Sequence, residues 1–214
     1  MTCVSPATYH SCLDRLAQKD EKIGQLLSDL GYPPFWSRPK GFAGLARIIL
    51  EQQVSLASAA RTWQRLEDVL GQVTPEKVGA LTEDQFKSLG ITRQKSGYIR
   101  GLALKVRDGL DPEALEGLSD SEVRDRLLAV KGIGPWTADI YLIMGLHRPD
   151  VFPSGDLALN KALAALGFTE PDASAEQIRD ALKKYAPFRS LLACLLWHWY
   201  IVEHRIALPA FPRG

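Results

Sequence analysis

Helix-start signals recur along this chain of 214 residues and constrain its fold more than any other sequence feature. In each signal a short hydroxyl residue stands three positions before Glu or Gln, so that the two side chains can satisfy each other's free backbone N–H groups. Three such pairs occur: Thr82 with Gln85, Ser119 with Glu122, and Ser174 with Gln177. Alternating β-branched runs, which would predict strands, are nearly absent. The sequence therefore predicts an all-α fold of roughly ten short helices.

Two stretches rich in proline and glycine interrupt the helical pattern, at residues 31–41 and 147–155. Residues that precede proline are disfavoured in the helical conformation, so each stretch predicts an irregular connection. We expect a central helical lobe of residues 40–150 and a second helical lobe formed by residues 1–39 together with residues 151–214.

The charge balance and the cysteines limit the class of protein. The chain has 26 basic and 25 acidic side chains, which excludes a strongly basic, histone-like DNA binder but allows a local basic surface. Its cysteines, Cys3, Cys12 and Cys194, are too far apart for a metal knuckle or a disulfide framework. The longest apolar run, residues 191–197, is far shorter than the ~20 residues that span a membrane, and the N-terminus shows no secretory pattern. We therefore expect an intracellular protein with no membrane partner.

The most informative segment reads Leu-Leu-Ala-Val-Lys-Gly-Ile-Gly-Pro-Trp-Thr-Ala at residues 127–138. It predicts a helix-hairpin-helix motif over about residues 119–146. Gly132 and Gly134 can adopt backbone angles that other residues avoid, and they let a ligand approach the main chain. The N–H groups that open the second helix favour a phosphate. From the residues alone, a corner between two helices without a ligand stays an alternative, whereas the order of a Walker-type nucleotide loop is absent.

Further segments extend this pattern: Asp156, twenty residues after Trp136; Ile-Leu-Glu-Gln-Gln-Val-Ser at 49–55; Ile-Thr-Arg-Gln-Lys-Ser at 91–96; and Pro-Phe-Arg-Ser at 187–190, leading to Trp197. Together they resemble the helix-hairpin-helix (HhH-GPD) DNA glycosylase superfamily, and within it the 3-methyladenine DNA glycosylase II type, over about residues 40–200. The resemblance implies a two-lobed helical bundle with its active site in a cleft between the lobes. It also implies a monomeric, monofunctional enzyme of base excision repair that flips alkylated bases out of double-stranded DNA and hydrolyses the glycosidic bond.

The resemblance makes Asp156 the catalytic carboxylate. Breaking an N-glycosidic bond builds positive, oxocarbenium-like charge on the deoxyribose, which a fixed carboxylate stabilises. Without the resemblance, an aspartate after Pro-Ser-Gly indicates a helix N-cap. Asp139, the other nearby carboxylate, is expected to serve structure. Family members that also cut the backbone carry a lysine where this chain has Trp136, so we expect water as the nucleophile. The missing four-cysteine cluster implies no iron–sulfur centre, and no cofactor is required.

Trp136 and Trp197 match aromatic positions of the base pocket in the resembled family. An indole face attracts an alkylated purine because its ring carries positive charge. From the sequence alone, core packing is an equal alternative for both tryptophans. Ile140 stands where the bacterial prototype has a pocket tyrosine, and the neighbouring Tyr141 points about 100° away around the helix. The preferred alkylated base therefore stays open.

The resemblance also implies residues that contact DNA. A wedge that fills the space of the flipped base is expected at Gln52, Gln53 and Val54, with Gln53 as its main residue; the alternative is an exposed helix end. Phosphate contacts are expected from Lys131, Gly132, Gly134 and Thr137. A monovalent cation, Na+ or K+, is expected on the main-chain carbonyls of Leu128, Val130 and Ile133. A basic helix face with Arg93, Arg100 and Arg107 would face DNA or merely solvent.

Two other functions remain open at this point. A non-catalytic helix-hairpin-helix protein would bind DNA without releasing a base. A bifunctional glycosylase/lyase of the endonuclease III or 8-oxoguanine type would form a covalent intermediate with the sugar. Depending on the source, the expected compartment is the cytoplasm and nucleoid of a prokaryote or the nucleus of a eukaryote.

Overall fold

A computed structural model describes residues 4–207 of the chain. These residues form twelve α-helices, two 3₁₀-helices and one π-helical turn, and no strand occurs among them. The predicted all-α class is confirmed. Residues 1–3, which include Cys3, and residues 208–214 belong to the predicted second lobe and lie outside the described residues. Across residues 4–207 no helix has the length and apolar character that crossing a bilayer would require.

The helices follow in chain order: α1 (Pro6–Ala17), α2 (Glu21–Leu30), α3 (Gly41–Glu51), α4 (Leu56–Leu70), α5 (Pro75–Ala80), α6 (Glu83–Ser88), α7 (Arg93–Arg107), α8 (Asp120–Leu128), α9 (Pro135–Ile140), α10 (Leu157–Ala165), α11 (Ala175–Ala181) and α12 (Arg189–Glu203). The 3₁₀-helices cover Ala114–Gly117 and Lys183–Tyr185, and the π-helical turn covers Tyr141–Gly145.

Local capping explains where several helices begin. The three capping boxes expected from the sequence are formed, with Thr82, Ser119 and Ser174 as the N-caps of α6, α8 and α11. Each pairs the hydroxyl with the backbone N–H three residues on and returns the Glu or Gln side chain to the cap's own N–H. Pro75 opens α5, where its missing N–H leaves no helical hydrogen bond unmade.

The described chain divides into two units. Residues 4–37 and Leu142–Ala207 form the terminal unit, and Arg38–Tyr141 forms the central unit. Residues 142–150, which the sequence places in the central lobe, thus group with the terminal segments. The contacts of His147 give the physical reason, because its ring packs 4.9 Å from that of Phe35 and its carbonyl accepts a hydrogen bond from the Val4 N–H.

The terminal unit is built around α12, whose first half is buried on almost every face from Ser190 to Leu196. A bidentate ion pair fixes the loop before α10 to this helix: Arg189 Nε and Nη2 each lie 2.8 Å from a carboxylate oxygen of Asp150. Desolvation would raise the pKa of Asp150, but hydrogen bonds from Arg189 outweigh it and hold the pKa below its usual range. The loop that leads to Asp156 therefore starts from a fixed point.

The central unit packs around α3, an apolar helix whose buried side chains include Phe42, Leu45, Ile48 and Ile49. Helices α4, α7 and α9 contact it, and α8 and α9 lie against each other. Helix α3 therefore lies against α9, one of the two helices that flank the hairpin.

Candidate active site

The hairpin lies between α8 and α9. Ala129 ends α8, and two tight turns follow, in which the Val130 N–H bonds the Leu127 carbonyl and the Ile133 N–H bonds the Val130 carbonyl, both at 3.0 Å. Helix α9 then begins at Pro135 with Gly134 as its N-cap. The helix-hairpin-helix motif that the sequence predicts is thus formed by Asp120–Leu128 and Pro135–Ile140, with the π-helical turn continuing the second helix.

The two glycines of the hairpin have different roles. Gly132 has φ +94°, a conformation that favours glycine, and a Cβ there would lie 2.2 Å from the ring of Tyr98 on α7. Gly134 has φ −98° and ψ 179°, which any residue adopts, and a Cβ there would meet nothing within 4 Å. Glycine is therefore required at position 132, both by the positive φ and by the close packing of Tyr98. Gly134 differs from the expectation of special backbone angles, and instead leaves open space beside the main chain.

The two side chains predicted to bind phosphate differ in exposure. Lys131 is exposed, whereas Thr137 is 2% exposed and its Oγ1 accepts a hydrogen bond from Gln52 Nε2 at 2.9 Å. The inward orientation of the Thr137 side chain follows from its position on the face of α9 that packs on α3. Its hydroxyl thus serves the contact between α9 and the end of α3.

The predicted wedge residues form the turn between α3 and α4. Gln53 is exposed and has φ +54°, an uncommon conformation for a residue with a side chain, and Val54 is 43% exposed. Gln52 points the other way, because its Nε2 donates to the Gly132 carbonyl at 3.0 Å as well as to Thr137. Gln53 and Val54 are therefore presented outward, and Gln52 is held against the hairpin.

Charged side chains fix the end of α3 just before this turn. Glu51 accepts from Arg38 Nε at 2.9 Å, and Arg47 Nε lies 3.4 Å from the same carboxylate oxygen. Lys95 Nζ donates to the Leu50 carbonyl at 2.7 Å, and burial lowers the pKa of this lysine. Sequence reasoning missed the contacts of Arg38 and Lys95, since no local spacing links Arg38 to Glu51 or Lys95 to Leu50.

The basic run on α7 is partly neutralised. Arg100 pairs with Glu83, and the Arg107 guanidinium lies 3.7 Å from the Asp108 carboxylate. Arg93 and Lys105 are exposed. The helix face that the sequence predicts therefore carries less net positive charge than the run of basic residues suggests.

Asp156 is the N-cap of α10 and is half-buried. Its Oδ1 accepts from the N–H groups of Ala158 and Leu159 at 2.9 and 3.0 Å, and these two bonds hold the carboxylate at the start of α10. Asn160 Nδ2 donates to the Ser154 carbonyl at 3.0 Å, which ties the preceding loop to the helix. The next residue, Leu157, is 78% exposed. The N-cap that the residues alone indicate is present, and the same hydrogen bonds fix the position of the carboxylate.

Asp139 is held in a different way. Arg124 Nε lies 2.7 Å from its Oδ1, so the pair joins α8 to α9. Burial raises the pKa of Asp139, against the hydrogen bond and charge of Arg124, which lower it. This carboxylate is committed to the hairpin's own structure.

The aromatic residues of the predicted base pocket lie on α9 and α12. Trp136, near the start of α9, and Trp197 on α12 are both half-buried. The Trp197 ring meets that of Trp36 edge to face, with 6.3 Å between centroids. Sequence reasoning missed Trp36 because it lies in the proline-rich connection. Both tryptophans at the predicted positions retain an accessible part.

The two residues that follow Asp139 are core residues of the central unit. Ile140 is 2% exposed. Tyr141 is fully buried; its hydroxyl accepts from the Gly41 N–H at 2.9 Å and donates to the Pro112 carbonyl at 3.3 Å. Burial raises the pKa of Tyr141 to about 12. The tyrosine adjacent to the pocket position is therefore engaged in the fold.

The hairpin offers oxygen ligands from its main chain only. Among residues 4–207 no group of three or more His, Cys, Asp or Glu side chains could hold a metal ion. Of the three carbonyls expected to bind a cation, that of Val130 also accepts the Ile133 N–H. A carbonyl oxygen has a second lone pair, and neutral oxygens suit a hard cation, so the three residues fit a monovalent ion.

Comparison with known protein families covers most of the chain. The family described as "HhH-GPD superfamily base excision DNA repair protein" matches residues 46–188, a range that includes the turn with the predicted wedge residues, the hairpin and Asp156. DNA-3-methyladenine glycosylase 1 of Schizosaccharomyces pombe is 30% identical over 205 residues, which are 92% of this chain and 88% of that protein. DNA-3-methyladenine glycosylase 2 of Escherichia coli is 26% identical over 71% of this chain, which spans only 55% of that longer protein.

Solved structures of similar proteins share the fold. The S. pombe 3-methyladenine DNA glycosylase in complex with abasic DNA has a TM-score of 0.78 at 25% identity, covering 91% of this chain and 97% of that one. A DNA-3-methyladenine glycosidase from Bacillus halodurans has a TM-score of 0.74 at 27% identity, covering 96% and 95% of the two chains.

Proposed function

Since the chain belongs to the HhH-GPD superfamily of base excision DNA repair proteins, we propose that it is a monofunctional glycosylase for alkylated DNA. It binds double-stranded DNA, flips out 3-methyladenine, 7-methylguanine or a related base, and hydrolyses the N-glycosidic bond to leave an abasic site. The observation that carries the proposal is the 30% identity, over 92% of this chain, with an S. pombe DNA-3-methyladenine glycosylase. The protein works as a monomer where DNA is kept, in the cytoplasm and nucleoid or in the nucleus.

Asp156 is the catalytic residue of this proposal. As the bond to the base breaks, positive charge builds on the deoxyribose, and a carboxylate held beside the sugar stabilises it and orients the attacking water. The two N–H groups that bind Oδ1 hold the carboxylate in place before the reaction, so little reorganisation is needed. The alkylated base leaves as a neutral molecule because it starts with a positive ring, which reduces the need for a general acid.

Trp136 and Trp197 are the proposed aromatic contacts for the flipped base, whereas Ile140, the third residue expected at the base pocket, is buried in the core of the central unit. A positively charged ring against an indole face gains about 0.5–2 kcal/mol. Ile140, at the position of the prototype's pocket tyrosine, supplies no hydroxyl that could bond the base. This combination favours bases recognised by charge and shape over bases recognised by hydrogen bonds.

Gln53 and Val54 form the wedge, and their exposure at the tip of the turn supports this role. Flipping a base costs a few kcal/mol, and a side chain in the vacated space offsets part of it. Phosphate is bound by Lys131 and by the main chain of Gly132, Gly134 and Thr137. A Na+ or K+ ion held by the carbonyls of Leu128, Val130 and Ile133 would add positive charge next to that phosphate.

The proposal is tested with a panel of DNA duplexes that each contain one modified base. We expect release of free alkylated bases and formation of alkali-labile abasic sites. We expect no covalent protein–DNA complex on borohydride treatment, because Trp136 cannot form a Schiff base. Trapping of such a complex would favour the glycosylase/lyase alternative, and DNA binding without release of any base would favour the non-catalytic one.

Replacement of Trp136 by alanine is expected to act selectively on charged bases. Excision of 7-methylguanine should fall by about 2- to 30-fold, the range that a cation–π contact spans, whereas excision of neutral hypoxanthine should change less. Single-turnover rates on the two lesions measure the difference. Trp63 on α4, a buried tryptophan stacked with Arg47, gives a control in Trp63→Phe, which should affect both lesions equally. Equal losses for Trp136→Ala would contradict a role in recognising charge.

A further inference from the structure

Gln52 makes a contact that a wedge residue does not need. Its side-chain amide donates to the Gly132 carbonyl at 3.0 Å and to Thr137 Oγ1 at 2.9 Å. One acceptor lies in the loop of the hairpin and the other in the first turn of α9. A single residue next to the wedge is thus bound to both halves of the proposed phosphate-binding element.

The turn that holds Gln52 is fixed from its other side as well. Glu51 is bound by Arg38 and Arg47, and the Leu50 carbonyl by Lys95. On the far side, Ser55 caps α4 by accepting the Ser58 N–H at 3.3 Å. Gln53, between these anchors, has φ +54°. Such a conformation persists only where the surroundings determine it, and the Gln52 amide supplies the link to the hairpin.

We propose that Gln52 is a positioning residue that couples the wedge turn to the hairpin, so that phosphate binding and wedge insertion occur in one fixed geometry. This inference rests on the proposed function, because it assumes that the turn enters DNA. Gln52 itself does not enter the duplex, since both donors of its amide are used against the protein. Removal of the Gln52 amide keeps Gln53 and Val54 but releases their turn from the hairpin, which is the element proposed to bind the DNA phosphates.

The coupling should matter only where base pairing resists flipping. A lesion opposite a normal base must be unpaired and its space filled, whereas a lesion opposite a tetrahydrofuran abasic analogue has no partner to displace. Loss of positioning therefore slows excision from the first duplex and spares the second. A general structural defect, or damage to the base pocket, would slow both alike.

Gln52→Met tests this, because methionine keeps the length of the side chain and removes both donors. With 7-methylguanine opposite cytosine, the single-turnover rate at saturating enzyme should fall about tenfold, while the rate opposite tetrahydrofuran should stay within about twofold. Thr137→Val removes one acceptor from the other side and should give a smaller loss of the same kind. The two losses should be less than multiplicative when combined. Gln64→Met is the matched control, since Gln64 is exposed and bonds Asp68 within α4.

A second readout does not depend on the reaction. In an Asp156→Asn background, binding to a duplex with 2-aminopurine beside a tetrahydrofuran site should raise fluorescence as the wedge unstacks the probe. Gln52→Met should reduce this rise at equal occupancy of the DNA. Equal slowing on both lesion contexts, or an unchanged fluorescence rise, would overturn the proposal. If the unsubstituted protein releases no base but the fluorescence result holds, the proposed activity fails and the coupling stands.

Discussion

Asp156→Asn is expected to lower base excision by about 10²–10⁴-fold while DNA binding stays close to that of the unsubstituted protein. The substitution removes the negative charge that stabilises the sugar cation. It keeps the side-chain oxygen that accepts the Ala158 and Leu159 N–H groups, and asparagine is as good an N-cap as aspartate. Single-turnover excision, fluorescence anisotropy on damaged duplex and thermal unfolding measure the three properties separately.

Two further variants separate charge from capping. Asp156→Ala removes both and should lose about 1 kcal/mol of unfolding free energy in addition to activity. Asp20→Asn neutralises another N-cap carboxylate of the terminal unit, at the start of α2, and should leave excision unchanged. Near-normal excision by Asp156→Asn would remove this residue from the mechanism, even if the protein proves to be a glycosylase.

Gly132→Ala is expected to have the largest effect on stability. The added Cβ would lie 2.2 Å from the ring of Tyr98. Even if Tyr98 moved away, alanine at φ +94° would have a strained backbone. We expect a loss of about 3 kcal/mol, which for a chain of this size lowers the Tm by about 6–12 °C. Differential scanning calorimetry measures the shift, and DNA affinity should fall with it because the loop carries the proposed phosphate contacts.

Gly134→Ala is the matched comparison in the same loop. Its backbone is extended, and a Cβ would meet nothing within 4 Å, so the Tm should fall by at most about 2–4 °C, the cost of replacing a glycine N-cap with alanine. A methyl group in that open space should nevertheless weaken DNA binding by about fivefold if phosphate approaches the main chain there. A stable variant with unaltered affinity would place the phosphate elsewhere, and an unchanged Tm for Gly132→Ala would contradict the packing of Tyr98.

Local sequence signals predicted the local structure of this chain well. The capping boxes at Thr82, Ser119 and Ser174, the hairpin and the all-α class are confirmed, because each depends on residues a few positions apart. The family resemblance is confirmed, with the family model matching residues 46–188 of the range from about 40 to 200 in which the motifs lie. The roles of Asp156, the tryptophans and the wedge residues stay predictions, as do the cation and the exact extent of the two lobes.

Contacts between segments that are distant in the sequence could not be predicted from local sequence patterns. Gln52 and Thr137 are 85 positions apart, and nothing in Gln-Gln-Val-Ser distinguishes an outward from an inward glutamine. Trp36 and Arg38 lie in a proline-rich stretch that carries no periodicity, so their partners Trp197 and Glu51 emerge only from the fold. Burial of Thr137 likewise depends on how α9 lies against α3.

The left-handed backbone of Gln53 limits which amino acids can occupy the tip of the turn. Valine, isoleucine and threonine carry two heavy atoms on Cβ and are genuine outliers at a positive φ, whereas unbranched side chains and asparagine tolerate it better. Mutant libraries that aim to alter the tolerated opposite base should therefore place leucine, methionine, histidine or asparagine at this position. The backbone angle of one residue thus limits the amino acids through which discrimination between opposite bases can evolve.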